Sequence, residues 1–129
     1  MNMKTPSLAL LLAALVLLLG GCAGGAPALT GAEMAVILAG HEPPVLVDVR
    51  SRREFAAGHL PGALHIPFYA VARRHGEISQ DPDRPVIVYC AHGPRAWWAA
   101  RALRGKGFSR VSTLALSDRP AELVLVPAD

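Results

Sequence analysis

The sequence is poor in aromatic residues, in cysteine and in charge. Phe, Trp and Tyr together make up 5% of its 129 residues, and Asp, Glu, Lys and Arg make up 18%. Two cysteines, Cys22 and Cys90, are too few for the disulfide framework of a small secreted scaffold. The five histidines are dispersed and no pair has metal-ligand spacing, which speaks against a zinc site. No internal repeat is present, which speaks against a solenoid. Basic residues are scattered, with Arg52-Arg53 and Arg73-Arg74 as the adjacent pairs, so the net charge of +3 describes a solvated surface rather than a nucleic-acid patch. The length suits one domain.

Against these deficits stands a surplus of apolar residues, 52% of the chain with a mean hydropathy of +0.33. The surplus lies at the N-terminus. Residues 8–19 form an unbroken apolar run, shorter than the roughly 20 residues that span a bilayer. With Lys4 ahead of it and Gly20-Gly21 behind it, the run has the layout of a secretory signal over residues 1–21. Leu19-Gly20-Gly21-Cys22 resembles the bacterial lipobox, which makes Cys22 the expected site of lipid attachment. Acyl chains there would hold the protein at a membrane, since each buried methylene contributes about 0.8 kcal/mol. Residues 22–29, uncharged and rich in small side chains, read as the lipid-attachment cysteine with a flexible tether. The expected location is the cell envelope, facing the periplasm or the exterior. With Cys22 modified, Cys90 has no partner in its chain and becomes a candidate reactive thiol.

The rest of the chain, residues 30–129, alternates strand and helix signals. Thr30 with Glu33 and Ser51 with Glu54 form two capping boxes, which predict helices over 32–39 and 52–57. Residues 45–49 and 86–89 are short, almost wholly apolar runs, as in strands covered on both faces. Weaker signals place strands at 63–66 and 111–116, a helix over 68–75 and a helix over 95–104 opened by Pro94. The pattern predicts a single α/β domain, a mostly parallel central sheet with helices on both faces.

Cys90 ends the second apolar strand and precedes a helix. Ligands of open parallel sheets bind outside the carboxyl ends of the strands. The loop amides, the helix dipole and Arg95 in the first turn together favour a thiolate and attract an anion. Trp97 and Trp98 project about 100 degrees apart on the same helix, so one is expected in the core. The other could line the pocket mouth, with core packing the expected outcome.

Cys90-Ala91-His92-Gly93-Pro94-Arg95 resembles the active-site loop Cys-x-x-Gly-x-Arg of the rhodanese family. Leu46-Val47-Asp48-Val49-Arg50, Glu54-Phe55 and Gly58-His59-Leu60-Pro61-Gly62-Ala63 resemble its upstream signature, and Gly107-Phe108 with Val111 and Leu114 its later segment. The resemblance implies a sulfurtransferase in which Cys90 takes a sulfane sulfur from a small anionic donor such as thiosulfate, or from a persulfide. It would hold the sulfur as a persulfide and pass it to cyanide, a thiol or a protein acceptor, without metal or cofactor. Loop amides and Arg95 would bind the donor, and His92 would either tune Cys90 or face solvent. Asp48 and Arg50 would act as support at the strand end, and His59 as a packed loop residue. A non-enzymatic sulfur carrier, redox sensor or docking module is the alternative. A phosphatase or arsenate reductase is disfavoured, because four residues separate Cys90 from Arg95 where the related phosphatases have five. The Gly-Gly and Trp usual after the last strand are missing, and the apolar residues 123–126 are expected to be buried or paired.

Overall fold

A computed structural model describes residues 27–128. The expected signal (1–21) and Cys22 lie outside the described residues. Four parallel strands form one sheet in the order β2-β1-β3-β4: β1 Val45–Asp48, β2 Leu64–His65, β3 Val86–Cys90 and β4 Val111–Ala115. The helices are α1 Gly31–Leu38, α2 Arg52–Ala57, α3 Val71–Arg74 and α4 Pro94–Gly105. The domain is therefore α/β, with an apolar layer on each face of the sheet.

The central strand β3 is buried along its whole length, and its side chains alternate between the two layers. Val86, Val88 and Cys90 point into a cluster with Val71 of α3 and Ala96, Ala99, Ala100 and Leu103 of α4. Ile87 and Tyr89 point to the opposite face, into a cluster with Met34 of α1, Leu60 and Leu114. Each fully buried aliphatic side chain contributes about 1.5–3 kcal/mol, so these two layers carry the stability of the fold.

Local signals set the helix starts. Thr30 and Ser51 accept from the backbone N–H of Glu33 and Glu54, and each glutamate returns the bond to its cap backbone. The helix expected over 68–75 shrinks to Val71–Arg74, followed by a 3-10 turn at His75–Glu77. The Phe68 N–H continues the sheet ladder by donating to Val49 O at 3.0 Å, and Ala70 closes a turn on Pro67 O at 2.8 Å, so the chain cannot be helical before Ala70.

Two further segments cover the sheet. Residues 27–29, expected to belong to the tether, run parallel to β4: Leu29 N donates to Thr113 O at 2.8 Å and Thr113 N to Pro27 O at 2.9 Å. The outer edge of β4 offers unpaired backbone groups, and this extended stretch satisfies them. At the C-terminus, His59 and Val126 exchange a pair of backbone hydrogen bonds of 2.9 and 2.8 Å. Leu123 and Leu125 pack on the α1-side cluster while Val124 and Val126 face solvent, a strand-like alternation. An extended strap thus closes the domain, and the apolar residues 123–126 are covered on one side and paired at Val126, as expected of them.

Candidate active site

Cys90 is the last residue of β3, at the carboxyl end of the sheet. Three loop residues, Ala91, His92 and Gly93, separate it from Pro94, the first residue of α4. Gly93 makes the reversal possible: its φ of 111° lies in the region that L side chains avoid. That conformation turns the Gly93 N–H back onto Cys90 Sγ, at 3.0 Å. The loop continues into the first turn of α4 with Trp97 N donating to Gly93 O at 3.0 Å. Cys90 itself is 1% exposed, so its sulfur sits at the floor of the loop. Ala91 is half-buried and its carbonyl accepts from Ser117 N at 3.4 Å, while His92 is exposed.

Arg95 does not stand alone beside the loop. Its Nη1 and Nη2 donate to Oε2 and Oε1 of Glu54, both at 2.8 Å. Hydrogen bonds from Arg95 and then from Ser51 hold the Glu54 carboxyl far below the usual carboxylate range, and Glu54 in turn raises the Arg95 guanidinium. Glu54 was legible in the sequence as a cap of α2 and, with Phe55, as part of the upstream signature, but not as the partner of Arg95. Its second role joins residues 41 positions apart, and no local pattern announces it.

Asp48 and Arg50 lie at the end of β1, both buried. Arg50 Nη2 donates to Asp48 Oδ2 and to Gly58 O, both at 2.6 Å, and the Arg50 N–H donates to Asp48 Oδ1 at 2.9 Å. Burial opposes the Arg50 charge, yet the Asp48 hydrogen bonds and charge outweigh it and raise the guanidinium. The Arg50 guanidinium also stands 5.9 Å over the Tyr89 ring. Burial and the Asp48 charge push the Tyr89 phenol upward, and its oxygen accepts the Leu60 N–H at 3.0 Å. This network ties β1, β3 and the loop after α2 together and fixes the platform from which Cys90 projects. His59 packs against Phe55 with ring centroids 3.7 Å apart, and its Nδ1 lies 3.0 Å from Phe55 O.

The tryptophans correct an expectation. Neither is in the core: Trp97 is 39% and Trp98 57% exposed. The buried stripe of α4 is Ala96, Ala99, Ala100 and Leu103, and the small alanines let the helix lie close on the sheet. Trp97 and Trp98 fall outside that stripe.

The fold and the site define a class: a parallel α/β domain whose cysteine sits at a strand-to-helix loop with the Gly93 backbone amide turned onto its sulfur. The family model described as "Rhodanese-like domain" matches residues 32–117. The chain belongs to the rhodanese-like domain family. Among its relatives, a sulfurtransferase of Allochromatium vinosum is 39% identical over 77 residues, covering 60% of this chain and 70% of that protein. The thiosulfate sulfurtransferase GlpE of Pseudomonas putida is 41% identical over 81 residues, covering 61% and 70%. The human single-domain sulfurtransferase TSTD1 superposes with a TM-score of 0.61 at 29% identity, over 70% of this chain and 90% of that one.

Proposed function

We propose that the chain is a rhodanese-type sulfurtransferase that carries sulfane sulfur on Cys90. The observation that carries this reading is the Gly93 N–H held 3.0 Å from Sγ. A donor fixed at the cysteine sulfur is placed to stabilise negative charge on a nucleophile or on a sulfur bound to it. Attack of the Cys90 thiolate on the outer sulfur of thiosulfate forms an S–S bond and releases sulfite with the electron pair of the broken bond. The persulfide then gives its outer sulfur to cyanide, forming thiocyanate, or to a thiol, forming a new persulfide. Cys90 returns as thiolate, and no external oxidant or reductant is needed. Two covalent half-reactions replace one direct transfer.

Thiosulfate treatment followed by intact-mass measurement tests the reading. A gain of one sulfur atom is expected, and it is absent in Cys90→Ala. No gain from thiosulfate or from a persulfide donor overturns it. Steady turnover with cyanide separates an enzyme from a stoichiometric carrier.

We also propose that Cys22 carries the lipid and that the domain faces the periplasm or the exterior. The support is the lipobox-like sequence directly after an apolar run. Full-length protein is expected to partition into detergent and Cys22→Ala into water; equal partitioning removes the anchor.

A further inference from the structure

Helix α4 buries Ala96, Ala99 and Ala100 and shows solvent its two tryptophans. Both tryptophans of the chain are there, their rings edge to face at 4.7 Å, with the Arg101 guanidinium 6.0 Å over the Trp97 ring. A second edge-to-face pair, Phe68 and Tyr69 with centroids 5.6 Å apart, leads into α3, and Tyr69 is 77% exposed. Helix α3 packs against α4. Ala70, next to Tyr69, and Ala96, next to Trp97, belong to the same buried cluster as Cys90. The two aromatic pairs therefore belong to the segments that cover the layer holding Cys90, and the Trp97 N–H reaches back to the active loop at Gly93 O, 3.0 Å away.

The net charge of this surface is positive, because its two acidic side chains, Glu77 and Glu54, are each paired with an arginine. Residues 68–74 and 94–106 contain no acidic residue. Arg74 is paired with Glu77 and Arg95 with Glu54. Arg73, Arg101 and Lys106 are exposed, and no ion pair is recorded for them among the described residues. A rigid aromatic patch set among cations has the composition of a protein-docking surface, and its charge complements an acidic partner. Cyanide and thiosulfate are too small to use it.

We propose that this aromatic and cationic rim docks an acidic polypeptide that presents a cysteine thiol to Cys90. The proposal rests on the sulfur transfer assigned to Cys90 above and names the class of its acceptor. The polypeptide thiolate attacks the outer sulfur of the Cys90 persulfide. A new S–S bond forms on the polypeptide, the bond to Sγ breaks, and its electron pair stays on Cys90 as thiolate.

The test loads the full chain with thiosulfate, verifies the added sulfur by mass, and offers three single-cysteine peptides of equal length flanked by Glu, Ser or Lys. Cyanide serves as the small acceptor. The Glu peptide is expected to react about tenfold faster in kcat/KM than the Ser peptide, and the Lys peptide more slowly than both. The preference is lost in Arg101→Glu and in the double variant Trp97→Ser/Trp98→Ser, with cyanide turnover unchanged. In Arg101→Glu both tryptophans remain, so quenching of their fluorescence by the Glu peptide, seen in the parent, is expected to fall. Equal rates for the three peptides overturn the proposal, as do variants that slow peptide and cyanide alike. A tryptophan blue shift on phosphatidylglycerol vesicles, without a response to the Glu peptide, assigns the face to a lipid surface and overturns it too. If Cys90 takes up no sulfur, the transfer reading itself falls; if it does and the peptides react equally, the docking surface alone falls.

Discussion

Arg95 and Glu54 clasp each other through two parallel hydrogen bonds of 2.8 Å, joining the helix that follows Cys90 to the helix that follows β1. The guanidinium beside the active loop therefore arrives already neutralised. The pair is about one-third exposed, so solvent screens it and its worth is about 1 kcal/mol or less. Its larger consequence is for the charge offered to an anionic donor.

Glu54→Gln is expected to keep the cap of α2, since glutamine can serve in the box, and to free the Arg95 charge. Urea unfolding should show a loss of about 0.5–1 kcal/mol at neutral pH, and KM for thiosulfate should fall. The pH dependence has a fixed sign. The folded carboxyl titrates below its unfolded counterpart, so its stabilisation is full above the ordinary carboxylate range of about 4.3 and is lost as pH falls through the lower folded value. The parent should approach the variant in stability below about pH 4. Parallel stability curves across the acid range would contradict the pairing.

The buried pair of Asp48 and Arg50 behaves differently. Asp48→Asn leaves the Arg50 charge buried against Gly58 O and Tyr89, and a loss of about 3–5 kcal/mol is expected in chemical denaturation. Replacing both residues together, as Asp48→Leu/Arg50→Met, should cost less than Asp48→Asn alone, because no unpaired charge remains. A double variant weaker than that single variant would show that the pair is more than compensated charge.

Gly93→Ala isolates the backbone of the loop. No heavy atom outside its chain neighbours lies within 4 Å of a Cβ built there, so the cost comes from the φ of 111° alone. About 1–2 kcal/mol of strain is expected. The loop relieves it by rotating the N–H away from Sγ, and kcat/KM should fall on the order of 100-fold. The melting temperature and the rate report the two effects separately. Unchanged turnover would remove the Gly93 amide from the chemistry.

The C-terminal strap makes neighbouring residues unequal. Leu125 packs on the α1-side cluster, and Val124 is 67% exposed. Leu125→Ser should destabilise by about 1.5–3 kcal/mol, whereas Val124→Ser should stay within about 0.5 kcal/mol. Equal effects in thermal melts would mean that the alternation is not maintained in solution.

Much of this architecture was written locally. Val86 to Cys90 is apolar on both faces because the strand is covered on both, and a run this short, ahead of a Gly-Pro helix start, suits a strand better than a helix. The capping boxes at Thr30 and Ser51 name their helices within four residues. The helix expected over 68–75 is cut short at its start, where the Phe68 N–H bonds to the carbonyl of Val49, just past β1 and 19 positions earlier. Trp97 and Trp98 lie outside the core for a similar reason. Hydrophobicity favours the core, but a helix pressed closely on a sheet selects its smallest side chains for the contact. The strap over residues 123–126 was legible as a segment needing cover, not as a partner of His59.

By itself, the sequence determined the alternation of strands and helices, the position of Cys90 at a strand end and the loop length that separates it from Arg95. These are properties of residues near one another, fixed by backbone propensity and capping chemistry. The tertiary structure alone decided that Arg95 is neutralised by Glu54, that Tyr89 and Arg50 brace the platform, and that both tryptophans stand outside the core on the helix that follows the active loop. Those outcomes depend on which distant side chains share one small space, and charge pairing and close packing settle them only after the sheet has formed.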